Sequence, residues 1–201
     1  MKTKISFLLS LFLIVSCASS GPPSTTADVC KIFKEKRAWY KAAKKSEDRW
    51  RVPVPVTMAI IKQESSFIAA AKPGRTKLLG FLPWKRKSSA KGYAQAIDGT
   101  WEIYLKERGK WFKSRNDFDD AVDFIGWYNS KSMNQLKIEK HNARALYLAY
   151  HEGRQGYKKG SYRAKPWLLS VADKVQRQAD LYKAQFQKCK KKLGRKFFIF
   201  F

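Results

Sequence analysis

Glu64 is the side chain best placed to do chemistry. It ends an apolar run, four residues after Ile60 and three after Ile61. In a helix those offsets put all three on one face. A carboxyl sharing a face with two isoleucines is desolvated, which raises its pKa and favours the neutral acid. A protonated carboxyl beside a leaving oxygen, such as that of a glycosidic bond, can act as a general acid. The plainer alternative is a glutamate at the rim of its helix, paired with a lysine. Two further groups of polar residues share the chain with it. They are Gly92-Tyr93-Ala94-Gln95 and Ala149-Tyr150-His151-Glu152-Gly153.

Helices must position these groups, because almost no segment alternates in the manner of a strand. Asp28 can cap a helix whose apolar stripe is Val29, Ile32, Phe33, Trp39, Tyr40 and Ala43. Val52-Pro53-Val54-Pro55 breaks it, since each proline lacks a donor and disfavours helix in its predecessor. A second helix is predicted over Thr57 to Phe67, carrying Glu64. Lys72 to Lys91 is rich in Pro, Gly, Ser and cations and reads as a long irregular loop. Its apolar centre, Leu78 to Trp84, suits a loop packed over a groove.

Asp98 or Thr100 can cap a helix from Trp101 to about Arg108. Another starts near Asn116, with Asp117, Asp119 and Asp120 suited to the positive end of its dipole. Asn142 to His151 forms a further helix, with Gly153 as terminator. Pro166 opens the last. Its stripe, Leu168, Ala172, Val175, Ala179, Tyr182, Phe186 and Cys189, alternates threes and fours and so faces a core.

The chain has 201 residues, 44% hydrophobic and 14% aromatic, enough for one domain with a real core and too apolar for disorder. Lys and Arg number 42 against 16 Asp and Glu, a formal charge of +26 spread along the whole chain. Such a surface attracts polyanions, or is simply a lysine-rich solvated exterior.

Residues 1–16 read as a signal peptide, with Lys2 and Lys4 before an apolar stretch from Ile5 to Val15. Ile14-Val15-Ser16-Cys17 resembles a bacterial lipobox, which implies a lipid on Cys17; an ordinary secretory signal is the alternative. Cleavage there would take the charge from +26 to +24. Export argues against nucleic acid and for anionic envelope polymers or phospholipid as partners. Residues 17–27 read as lipid anchor and flexible tether, 28–189 as the domain, and 190–201 as a basic and aromatic tail. That tail could dock on a membrane interface or fray.

Cys30 and Cys189 are left. An even pair in an oxidising compartment usually bridges, and two separate buried thiols are the alternative. No Cys/His ligand spacing occurs, so neither metal nor cofactor is expected.

Glu64-Ser65-Ser66-Phe67, Gly92-Tyr93-Ala94-Gln95 and Ala149 to Gly153, in that order, resemble the motifs of lytic transglycosylases with the soluble-type catalytic domain, in the lysozyme-like superfamily. Gln63 to Phe67, Asp123-Phe124-Ile125-Gly126-Trp127-Tyr128 and Tyr147 to Gly153 extend the resemblance to the outer-membrane endo-acting branch, over nearly all of residues 28–189. The resemblance implies a mainly α, single compact helical domain with a long loop over the substrate cleft. The substrate implied is peptidoglycan, cut between N-acetylmuramic acid and N-acetylglucosamine.

The same resemblance implies the roles of individual residues. Glu64 is the sole acid and base, and Ser65 helps hold the acetamido group. Gln95 donates to the sugar, and Tyr150 holds the Glu64 carboxyl. Tyr93 and Ala94 stand where the family has Leu and Met, altering the cleft wall. His151 and Glu152 replace an Asn and a small residue; His151 contacts sugar or satisfies a backbone group. The reaction implied forms 1,6-anhydromuramic acid without water.

Two other readings stay open. A lysozyme-type hydrolase would need a second carboxylate, for which Glu152 and Asp123 are candidates. A cationic wall-binding lipoprotein would keep the fold without catalysis. A monomer, lipid-anchored on the periplasmic face of the outer membrane of a Gram-negative bacterium, is expected.

Overall fold

The computed structural model describes residues 21–78, 82–86, 88–109 and 111–194. The predicted signal peptide and Cys17 lie outside these residues, as does the tail from 195. Among the described residues there are seven α-helices and one two-stranded hairpin. No helix among them is long and apolar enough to cross a membrane.

The first predicted helix is two. α1 (Val29–Glu35) is capped by Asp28, whose carboxylate accepts from the Cys30 and Lys31 amides. Lys36 then leaves helical geometry, and α2 (Arg37–Trp50) begins. The break lets Phe33 and Tyr40 meet edge to face at 5.6 Å. Residues 21–27 are not the free tether expected of them. Ser24 donates through its amide and hydroxyl to Glu35, and Tyr182 donates to the Thr26 carbonyl.

α3 (Val54–Ser65) is the buried centre. Pro53 caps it and Pro55 sits in its first turn, where a missing N–H costs nothing. Val54 to Ile61 are all buried, as expected of a helix apolar on every side. α3 packs on α7 (Pro166–Gly194), whose Leu168, Ala172, Val175, Ala179, Tyr182 and Phe186 are buried as their spacing predicts. α7 runs on to Gly194, so the first residues of the expected tail are helical and Leu193 is buried.

α4 (Asp98–Arg108) starts at Asp98, one turn earlier than expected, with Ile97 as its cap residue. α5 (Phe118–Leu136) is capped by Asp117, with Asp119 and Asp120 in its first turn. It crosses α2 closely at Gly126, where a Cβ would lie 2.5 Å from Ser46 Oγ and from Trp50 Cδ1. Only glycine permits that approach.

α6 (Ala143–Lys159) runs well past Gly153. The predicted terminator is a kink, at φ 74°, ψ 155°. Tyr128 of α5 splints it, donating to the Ala149 carbonyl at 3.2 Å and accepting from the Arg154 amide. One phenol therefore satisfies a carbonyl and an amide on either side of the kink. Beyond α6 a short 3-10 turn (Ser161–Ala164) leads into α7.

The predicted loop of residues 72–91 contains an antiparallel hairpin, β1 (Arg75–Leu78) and β2 (Leu82–Arg86), with Arg75 opposite Arg86 and Leu78 opposite Leu82. Proline and cations hid it from pattern reading, because neither strand alternates.

A disulfide joins Cys30 in α1 to Cys189 in α7, with Cα atoms 6.0 Å apart. The Val29 amide donates to Gln185 beside it.

Candidate active site

A cleft of about 540 Å³ opens between the C-terminal end of α3, the hairpin base, α5 and α6. Glu64 forms part of its wall, with Phe124 and Tyr128 of α5 and Tyr150 of α6. Pro73 before the hairpin and Ser88 and Ala90 after it also line the cleft.

Glu64 reaches this wall because α3 stops at the next residue. Ser66 caps the helix in left-handed geometry, its amide donating to the Lys62 carbonyl at 2.9 Å. Phe67 is left-handed too, at φ 64°. Such residues cost about 1–2 kcal/mol each. The fully buried Phe67 ring, stacked on Trp39 at 5.8 Å, returns about as much or more.

Burial raises the Glu64 pKa from an ordinary 4.5 to about 7, and a hydrogen bond with the Tyr147 hydroxyl holds it from rising further. Burial likewise raises the Tyr147 and Tyr150 phenols, and the Glu64 charge raises both further. Both phenols are therefore neutral at any pH at which the acid works.

Tyr147 is the functional residue that sequence reading missed. The residue expected to hold Glu64 was Tyr150, but its hydroxyl donates to the Ala94 carbonyl at 2.6 Å. Tyr150 instead ties α6 to the Gly92–Gln95 turn and shapes the cleft wall. Helical spacing could have flagged Tyr147, which lies one turn before His151 on the same face.

The Gly92–Gln95 turn owes its shape to two positions. Gly92, at φ 82°, lies so close to α5's approach that a Cβ would meet the Arg115 carbonyl oxygen at 1.9 Å. Gln95, at φ 46°, turns its side chain inward. Its Nε2 donates to the carbonyls of Ala71 at 2.9 Å and Gly92 at 2.8 Å. Both amide protons are thereby used. Gln95 lines the cleft, but it has an acceptor oxygen to offer a ligand and not the donor that was expected.

Two residues expected at the substrate lie elsewhere. Tyr93 is buried in an aromatic cluster, edge-on to Trp39 at 5.6 Å and to Phe118 at 5.4 Å. Ser65 is buried and returns its hydroxyl to the Ile61 carbonyl at 3.2 Å. A helical serine facing inward bonds its own backbone more readily than a ligand.

His151 lines the cleft, with Nδ1 3.1 Å from the Glu152 carboxylate. Glu152 also lines it, but its side chain is only 5% exposed and is held by Lys165 at 2.8 and 2.9 Å and by the Ser161 hydroxyl. Burial alone would raise its pKa; Lys165, Ser161 and His151 outweigh that and hold it at about 2.

Asp123 is buried within α5, away from the cleft wall. It accepts from Tyr104 at 2.7 Å, Trp50 and Arg49 at 2.8 Å, and Arg108 at 3.3 Å. Burial would raise its pKa, and these donors more than reverse that. It is a hub joining α2, α4 and α5.

An acid with a raised pKa in a cleft, steadied by a phenol and flanked by an ion-paired carboxylate, is an arrangement suited to general acid catalysis. The chain belongs to the Transglycosylase SLT domain family, whose profile it matches over residues 5–189. Membership brings with it a lysozyme-like helical domain, transglycosylase-type activity and peptidoglycan as substrate. No curated protein and no solved structure matched the chain.

Proposed function

We propose that the protein is a lytic transglycosylase that cuts the β-1,4 bond between N-acetylmuramic acid and N-acetylglucosamine, with Glu64 as acid and then base. The observation that carries this reading is the contrast between the two carboxyls in the cleft wall. Glu64 keeps a large share of its protons up to neutrality, whereas Glu152 is held as an anion by a lysine and is a poor base for activating water.

Glu64 donates its proton to the bridging oxygen. The bond from the muramoyl C1 to that oxygen breaks, and the glucosamine leaves with a free hydroxyl. The substrate's own acetamido group stabilises the positive charge at C1, so no enzymic nucleophile is required. The Glu64 carboxylate then takes the proton from the muramoyl 6-hydroxyl as its oxygen bonds to C1. The product is a 1,6-anhydromuramoyl end, the proton is back on Glu64, and no water is consumed.

Tyr147 keeps the carboxyl aimed through both transfers. A monomer with its lipid on Cys17, held at the periplasmic face of the outer membrane, completes the proposal, and the lipobox-like sequence is its support.

Digestion of sacculi by wild type and by Glu64→Gln, with mass analysis of the fragments, tests it. The expected products of the wild type carry ends lighter by one water than hydrolysis would leave, and Glu64→Gln releases none. Fragments with ordinary reducing ends would make the enzyme a hydrolase. Release of no fragments by either protein would make it a binder, and equal cutting by both would remove Glu64 as the acid.

A further inference from the structure

Trp167 stands on the surface with no role in the reaction above. It is the second residue of α7, and 57% of it is exposed although its neighbour Leu168 is fully buried. A large aromatic ring left in water at a helix start does nothing for the core.

Its position follows from the cleft. The His151 ring meets the Trp167 ring edge to face, with centroids 5.3 Å apart. His151 lines the cleft and lies 6.4 Å from the Tyr147 ring, one helical turn back on α6. Tyr147 in turn hydrogen-bonds Glu64. A line of contacts therefore leads from the acid through Tyr147 and His151 to the exposed Trp167.

The far end of this line is fastened. Glu152 holds His151 by Nδ1, and Lys165 and Ser161 hold Glu152. Lys165 is two residues before Trp167, with Pro166 fixing the backbone between them. The indole and imidazole thus stand in a set relation before any ligand arrives, which lowers the entropy cost of binding.

We propose that Trp167 and His151 form a further sugar subsite, in which the indole face takes a pyranose ring of the glycan strand beyond those bound at Glu64. β-Linked N-acetylhexosamines are the chemical class that fits. Their ring faces present C–H groups to an aromatic surface, and their rim of hydroxyl and amide groups suits the imidazole. The subsite rests on the glycan-cleaving reading and specifies it. Trp167 grips strand length and takes no part in bond breaking.

Two measurements test it. On soluble glycan strands, Trp167→Ala raises KM by about three- to tenfold and leaves kcat unchanged, and Trp167→Phe restores most of the loss. In the Glu64→Gln background, binding of the β-1,4-linked N-acetylglucosamine hexamer, followed by calorimetry, weakens by a similar factor when Trp167→Ala is added. The thermal midpoint does not move, since the indole is outside the core. Hexamer binding and KM indifferent to Trp167 would overturn the subsite alone. A fall in kcat that Trp167→Phe fails to rescue would also overturn it, making the residue structural. Failure of wild type to cut sacculi would overturn the glycan-cleaving reading itself, a result that no Trp167 variant can mimic.

Discussion

On the proposed mechanism Glu64 is necessary to the site and also costly to the fold. Below pH about 4.5 its carboxyl is neutral in both the folded and the unfolded chain, so it contributes no pH dependence. Between about 4.5 and about 7 the unfolded chain releases a proton that the fold retains. Stability therefore falls as pH rises through this window, by up to about 3 kcal/mol. Glu64→Gln carries no charge and escapes the penalty. Denaturant unfolding is expected to show the variant more stable than wild type at pH 8, with the two converging at pH 4. Activity has the matching profile: kcat/KM declines as pH rises through about 7, because the acid is then already ionised. A flat profile across neutrality would be incompatible with this acid.

Among the elements, α6 decides the site's shape. Its kink at Gly153 turns the helix beside His151 and Glu152, and φ 74° with ψ 155° is a conformation that side-chain-bearing residues rarely adopt. A Cβ there would meet nothing within 4 Å, so the cost of a side chain is backbone strain and not a clash. Gly153→Ala is expected to destabilise by about 1–3 kcal/mol in thermal or denaturant unfolding. It should also lower kcat/KM on glycan strands, as α6 straightens and draws His151 out of line. Tyr128→Phe, which removes the splint and no more, should give the same change in activity in milder form. Full activity in both variants would mean that the kink has no part in positioning the cleft.

For the whole molecule, the disulfide closes a loop spanning 159 positions and clamps α1 to the last helix. By loop entropy such a bridge is worth about 4–5 kcal/mol. None of the residues lining the cleft around Glu64 belongs to α1 or α7, and Trp167 of the proposed subsite lies at the opposite end of α7 from Cys189. Cys30→Ser with Cys189→Ser is therefore expected to lose about that much in urea unfolding, while the fraction still folded cleaves glycan at the wild-type rate. Loss of activity without loss of stability would contradict a clamp remote from the site. The charge of +26 acts at the same scale: it attracts polyanions without specifying the cut.

Sequence alone determined what depends on local periodicity. The offsets of Ile60, Ile61 and Glu64 placed a carboxyl on an apolar face, and the α7 stripe carried Cys189 inward towards Cys30. The ordered motifs pointed to the family. What it could not determine were contacts between segments far apart in the chain. Tyr147 and Tyr150 are three residues apart on one helix; only the tertiary fold gives one phenol to Glu64 and the other to Ala94. The same limit hid the core position of Tyr93, which Trp39 and Phe118 decide, and the kink at Gly153, which Tyr128 splints. The Ser65 hydroxyl and the hairpin were missed for local reasons: the one turns back to the Ile61 carbonyl of its own helix, and the other has strands that do not alternate. Distant partners escape a pattern because a side chain's neighbours are chosen in three dimensions while its helical face is chosen in one.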